Sequence, residues 1–281
     1  MKRTMPRTTR PRKGAARGGK RAPQAARPPP PEPEPVTPDG PRYLYGIVRA
    51  TAALELGRIG VGTVPTQVYA LHESGLAALV SEAPGRVVDP TRAHLLGHQR
   101  VTEHLLREHT VLPAAFGTVL ASEAQVRDLL RTAHDALAGV LEALEGKVEM
   151  GLKVLWHREH LVQRLLLEDA QLARRDDEPE AEHEQRLASA VEDRAGRDMR
   201  ALLEGLRPRA VALREHPPVG ERMLLNAAFL VERTGLESFE EKVRSLAARS
   251  DTYAFRFTGP WAPYSFVDVR LGPRDEDAVG T

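Results

Sequence analysis

Short apolar runs of period two alternate along this chain with longer stripes of helical period, and that alternation restricts the possible folds more than any other feature. The clearest run is VEMGLKVLW (148–156), which sets Val148, Met150, Leu152, Val154 and Trp156 on one face of an extended chain. YLYGIV (43–48) and the core of GLAALVSEA, Leu76 to Val80, read as two more strands. VLPAAFGTVL (111–120) reads as a strand interrupted by Pro113, hence an edge or bulged one, because proline cannot donate to a ladder. Between these runs, a helix from Thr91 to about His109 carries Leu95, His98, Val101, Thr102 and Leu105 on one face. Ser122 opens SEAQ, a capping box with Gln125, ahead of the stripe Val126, Leu130, Ala133, Leu137, Val140 and Leu144. The Gly-rich stretch 55–64 reads as a loop. The order over 42–157 is β-β-α-β-α-β.

The second half differs in rhythm. Helical sequence from about Glu159 to Arg174 gives way to the charged break RRDDEPEAEHE (174–184), which contains Pro179. A longer helix follows, with Leu187, Val191, Ala195, Met199, Leu202 and Leu206 at spacings of three and four. Strands are expected at 209–214 and 222–232, the latter apolar on both faces and therefore central. Leu236, Phe239, Val243 and Leu246 mark a short helix, and Tyr253, Phe255 and Phe257 alternate in a last strand. Helix, two strands, helix, strand is the ferredoxin-like pattern with its first strand missing or altered. A length of 281 residues suits about two domains rather than one. The predicted fold class is α+β: two small domains, 42–157 and 158–271, each an antiparallel or mixed sheet covered by helices and resembling a modified ferredoxin-like fold.

Composition sets the termini apart. Residues 1–41 hold eleven of the 22 prolines, and residues 1–31 hold ten Lys or Arg and no acid. The rest of the chain keeps 30 basic against 39 acidic residues. Residues 1–41 have too little apolar side chain to form a core and are predicted to be a disordered, basic, Pro-rich tail, with 272–281 a flexible end. Clustered cations also admit an alternative, a nucleic-acid-associated regulator using the basic arm. No aromatic interleaves the charges to stack on bases, so no specific nucleic acid is expected. The absence of cysteine excludes disulfides and thiolate chemistry and fits a cytoplasmic protein. The longest apolar run, MLLNAAFLV (223–231), is far below the ~20 residues that span a bilayer, and no apolar core follows the basic N-terminus as in a signal peptide. A soluble protein without a membrane contact is expected.

No catalytic constellation emerges. ELGRIGVGTV (55–64) lacks the Gly-Lys-Ser/Thr ending of a phosphate loop and the Gly-x-Gly-x-x-Gly order. His94 and His98 stand at i and i+4, but no glutamate completes a His-Glu-x-x-His pattern, and His98 lies on the apolar stripe as a core histidine. The acids sit in the charged break or on polar helix faces, and no serine has a nucleophile-elbow context. Catalytic, cofactor-binding and metal-ligating residues are therefore predicted to be none. GPWAPYSFV (259–267) stands out instead, with three aromatics and two prolines in nine residues. The prolines exclude a helix interior or a central strand, so a fixed, irregular edge piece is expected. Whether it packs on its own domain or presents a surface to another protein stays open.

Four stretches, read in order, resemble the gas vesicle protein family GvpF/GvpL: YLYGIV; HQRVTEHLLREHTVLPAAFGTVL (98–120); VEMGLKV (148–154); and LNAAFLV (225–231) followed by FTGPWAPYSFV (257–267). In order and spacing they span nearly all of 42–271. The most specific pieces are Pro-x-x-Phe-Gly-Thr and Gly-Pro-Trp-x-Pro-Tyr-Ser-Phe. They carry the family-motif and candidate partner-contact residues Pro113, Phe116, Gly117, Gly259, Pro260, Trp261, Tyr264 and Phe266. The chain departs from the family at Ala115, where an arginine is common, and at Ala262, where a proline is common, so a contact made by that arginine does not carry over. The resemblance implies a non-enzymatic accessory role in building gas vesicles, the hollow protein-walled organelles that give some microbes buoyancy. It also implies a two-domain α+β fold, no cofactor, location in the gas vesicle or cytoplasm, and contact with the small, hydrophobic shell protein GvpA and other accessory proteins. On this reading GPWAPYSFV closes the second domain, binds the shell subunit, or does both.

Overall fold

Strand β1 (Arg42–Arg49) is buried along all but its last residue. A strand with no solvated face belongs inside a sheet. It pairs antiparallel with β4 (Leu76–Glu82) on one side and with β5 (Leu112–Pro113) and β6 (Val119–Leu120) on the other. The computed structural model describes residues 40–50 and 52–268, so the expected tail (apart from Gly40 and Pro41) and the expected flexible end lie outside the described residues. Pro113 splits the expected strand into β5 and β6.

Two strands were not expected. β2 (Glu55–Arg58) lies in the stretch read as a loop and β3 (Gln67–Glu73) in the unassigned stretch after it; they complete the sheet order β2-β3-β4-β1-β5. β3 and β4 form a hairpin through Ser74 and Gly75, whose φ values of 50° and 81° give the turn whose hand suits strand twist.

Helix α1 (Arg92–Leu106) starts at Thr91, whose side chain accepts the His94 N–H. Its buried residues His98, Val101, Thr102 and Leu105 lie on the expected face, but Leu95 is 45% exposed. Gly97 lets the first turns rest directly on the backbone of Gly60 and Val61, leaving Leu95 outside that contact. The opposite sheet face is covered by α2 (Glu123–Thr132) and α3 (His134–Ala143), which bury Val126, Leu130, Leu137 and Leu141. One continuous helix was expected here; the chain breaks at Ala133 instead. The break lets α2 follow β3 and β4 while α3 follows β1 and β5 across a twisted sheet. Arg42, 1% exposed, donates to Tyr69 Oη at 2.8 Å, and Tyr69 donates to Glu123 Oε1 at 2.7 Å, tying β1, β3 and α2 together.

The second sheet has the order β10-β7-β9-β8, with β7 (Lys147–Trp156), β8 (Ala212–Glu215), β9 (Met223–Glu232) and β10 (Tyr253–Trp261). Every pairing is antiparallel. Between β7 and β8 run α4 (Arg158–Glu168) and α5 (Glu180–Leu206), and between β9 and β10 runs α6 (Leu236–Ala248). This is the β-α-β-β-α-β ferredoxin-like arrangement with β7 as its first strand. From sequence alone that strand is expected at the end of the first half, with none opening the second. The pairing explains the difference: Val148, Met150, Leu152 and Val154 stand directly opposite Val231, Phe229, Ala227 and Leu225 of β9. The two sheets thus divide between Ala143 and Lys147 rather than at 157/158.

Val191, Ala195, Met199, Leu202 and Leu206 of α5 are buried as expected. A single apolar cluster continues from Tyr43, Tyr45 and Leu105 at the first sheet to Met150, Leu202, Phe229 and Phe239 at the second. Among the described residues no helix is long and apolar enough to cross a membrane.

Candidate functional site at the C-terminal strap

The GPWAPYSFV stretch begins as the end of β10, which among the described residues pairs only with β7 and so forms a sheet edge. The ladder shifts register between Thr258 and Trp261, which stands opposite Glu149. Gly259 takes φ 121°, and a Cβ there would lie 2.9 Å from the Glu149 carbonyl oxygen, so only glycine fits. The Gly259–Pro260 peptide is cis. Ala262 and Pro263 are buried, and a single 3-10 turn, Tyr264–Phe266, follows.

From there the strap crosses the outer face of the second sheet. Ser265 donates its N–H to Glu149 Oε2 at 2.7 Å and its hydroxyl to Glu149 Oε1 at 2.8 Å. His216 Nε2 lies 3.1 Å from the same hydroxyl. Arg214 of β8 pairs with Asp268 at 3.0 Å and stands 5.9 Å from the centre of the Phe266 ring. Burial raises the Glu149 carboxyl above its ordinary value, and the Ser265 bonds oppose that rise. Ser265 lies between a carboxylate and an imidazole, whereas nucleophilic activation requires the imidazole in the middle.

Tyr264 turns the other way, toward the first sheet. Its hydroxyl meets His98 Nε2 at 2.7 Å, while His98 Nδ1 meets the Tyr43 hydroxyl at 2.9 Å. The Gly117 N–H donates to Tyr43 Oη at 3.0 Å. With that oxygen already accepting, the Tyr43 proton goes to Nδ1, which assigns His98 the Nε2–H tautomer donating to Tyr264. The rings of Phe116 and Tyr264 lie 5.8 and 6.0 Å from His98, and those of Tyr43 and Tyr45 lie 4.9 Å apart. Burial pushes His98 down to about 4 and Tyr264 up to about 12, so the whole cluster is neutral at neutral pH.

The motif residues therefore fall in four places. Phe116, Gly117 and Tyr264 converge on His98; Pro113 sits in β5 opposite Gly46; and Gly259, Pro260 and Trp261 line a separate cleft. Phe266 lies beside Arg214 on the outer sheet face. His98 is the core histidine the apolar stripe suggested, with both ring nitrogens engaged, and His94 bonds instead to the Asp89 carbonyl. Sequence reasoning missed Glu149, Arg214 and His216. Glu149 left only a weak signal, as the one acid of β7 on the face it shares with Lys147 and Lys153; the structure buries it to 9% exposure.

Residues 41–268 match the family model for gas vesicle synthesis protein GvpL/GvpF. The chain belongs to this family. It is 30% identical over 243 residues to gas vesicle protein F2 of Halobacterium salinarum, covering 85% of this chain and 97% of that protein. It is 31% identical over 237 residues to gas vesicle protein F of a Streptomyces species, covering 80% and 99%, and 31% identical over 252 residues to that organism's gas vesicle protein L, covering 81% and 93%. The crystal structure of GvpF from an Anabaena species shares the fold with a TM-score of 0.70 at 24% identity, across 83% of this chain and all of that one. GvpL/GvpF membership makes this a gas-vesicle-associated protein of α+β fold.

Proposed function

We propose that this GvpL/GvpF member is a non-enzymatic accessory protein of gas vesicle formation, working in the cytoplasm or at the vesicle. It binds the hydrophobic shell protein GvpA during assembly or as a minor vesicle component, alongside other accessory proteins. The observation that carries this reading is the extent of the family match, 41–268, which takes in both sheets and the strap. The strap's polar groups support it: Tyr264 bonds His98 of α1 and Ser265 bonds Glu149 of β7, as in a structural joint. A folded carrier of an aggregation-prone subunit requires contact surface and no reacting group. Co-expression with the shell protein tests this. The soluble fraction of shell protein should rise with the wild-type chain, and the two should co-purify. A wild-type chain that neither binds nor solubilises the shell protein overturns the reading.

A further inference from the structure

A cleft of about 320 Å3 opens beside the end of β10, walled by Leu106 and Arg107 from the end of α1, Arg233 after β9, and Gly259, Pro260 and Trp261. Its polar groups are almost all donors. The Arg107 guanidinium and the Trp261 indole N–H make no hydrogen bond or ion pair among the described residues. Arg233 spends one terminal nitrogen on the Leu106 carbonyl, and its remaining N–H groups make no bond among the described residues. Arginine and tryptophan side chains donate and do not accept. The one acid in the lining, Glu103, accepts from the Gln99 amide at 2.6 Å through Oε1, and its single negative charge leaves the two arginines in excess.

A positively charged, donor-rich cleft with apolar walls fits a group that only accepts and that arrives on methylene carbons, which describes a carboxylate side chain. Trp and Arg are also the residues that most often anchor protein interfaces. Among the described residues β10 pairs with β7 alone, so a chain leaving the cleft has a sheet edge to lie along, the geometry by which extended peptides add to sheets. We infer that this cleft seats an Asp or Glu side chain of an extended segment of a partner gas vesicle protein, between Arg107 and Arg233 and beside Trp261. The inference rests on the protein-binding reading above and names the surface that does the binding.

The test uses the full chain with Trp156→Phe, which leaves Trp261 as the sole tryptophan. Its emission is followed during titration with the capped peptide Leu-Glu-Leu-Glu and with its Leu-Gln-Leu-Gln counterpart. The acidic peptide should give a saturable shift that added salt weakens, and Arg107→Glu should weaken it at least about tenfold. Calorimetric titration of the native chain and of Arg107→Glu gives the same comparison if Trp156→Phe does not fold. Equal response to both peptides, no response up to about 10 mM, or unchanged binding by Arg107→Glu overturns the inference. Co-expression with the shell protein separates the two failures. Shell protein held equally by wild type and Arg107→Glu, with no peptide binding, sinks the cleft and leaves the companion reading. Shell protein not held by wild type sinks the companion reading, and the peptide titration still decides the cleft.

Discussion

His98 shows how one buried side chain sets a pH dependence for the whole joint. It is 6% exposed, and burial holds it near pKa 4, against an ordinary value of about 6.5. The unfolded chain therefore binds this proton first, and the linkage has one sign. Stability is complete above about pH 6.5 and falls as pH drops toward about 4, by about 3 kcal/mol from this group alone. Glu149 works the other way, because its raised carboxyl favours the folded state when protonated and loses that contribution as pH rises. Chemical denaturation of wild type and His98→Gln between pH 4 and 7 isolates the histidine. The wild type should lose more stability on acidification than the variant, and parallel curves would show that His98 is not held neutral.

Elements differ in how fully their roles follow from pattern. The α5 face was legible because a 27-residue helix repeats its apolar spacing often enough to mark one side. Leu202, 6% exposed within the shared core, should cost about 2–5 kcal/mol on replacement by Ala. Thermal or urea unfolding of the purified variant measures this, and a loss well under the lower bound would place the residue outside the core. The strap is too short to repeat anything. Its prolines excluded regular structure, but its partners, His98, Glu149 and Arg214, lie 50 to 170 residues away in sequence and leave no local trace. Trp261 is half-buried against the cleft. Trp261→Ala should accordingly cost less than the about 3–5 kcal/mol of a fully enclosed aromatic, measured by the same unfolding curves.

At the scale of the molecule, the two sheets act as one body. The apolar cluster that joins Tyr43 and Tyr45 to Met150, Phe229 and Phe239 has no break at the point where the sheets divide. The described residues, 40–50 and 52–268, fall within one compact unit. Two independent domains would each keep their own core and unfold separately. A shared core predicts one cooperative transition, in which the calorimetric and van't Hoff enthalpies agree. Scanning calorimetry of the full chain checks this; two resolved transitions, or a van't Hoff enthalpy near half the calorimetric value, would mean that the sheets unfold apart.

What this sequence determined by itself is its elements and their exposed and buried sides, because period and capping are local properties: Thr91 and Ser122 start helices where they stand, and β7 and β9 declare their apolar faces. It also marked GPWAPYSFV as an edge, because proline removes donors wherever it occurs. Tertiary structure alone decided which strands meet. β7 carries the same alternation whichever sheet it joins, and only its match to Val231, Phe229, Ala227 and Leu225 assigns it to the second. β2, with four residues, and β3, which buries only Val68 and Leu71, escaped notice because half-exposed strands take their stability from the neighbours they pair with rather than from their own residues. The joint around His98 was out of reach for the same reason. Five side chains from four segments, Tyr43, Tyr45, His98, Phe116 and Tyr264, acquire a common environment only when the chain has closed upon itself.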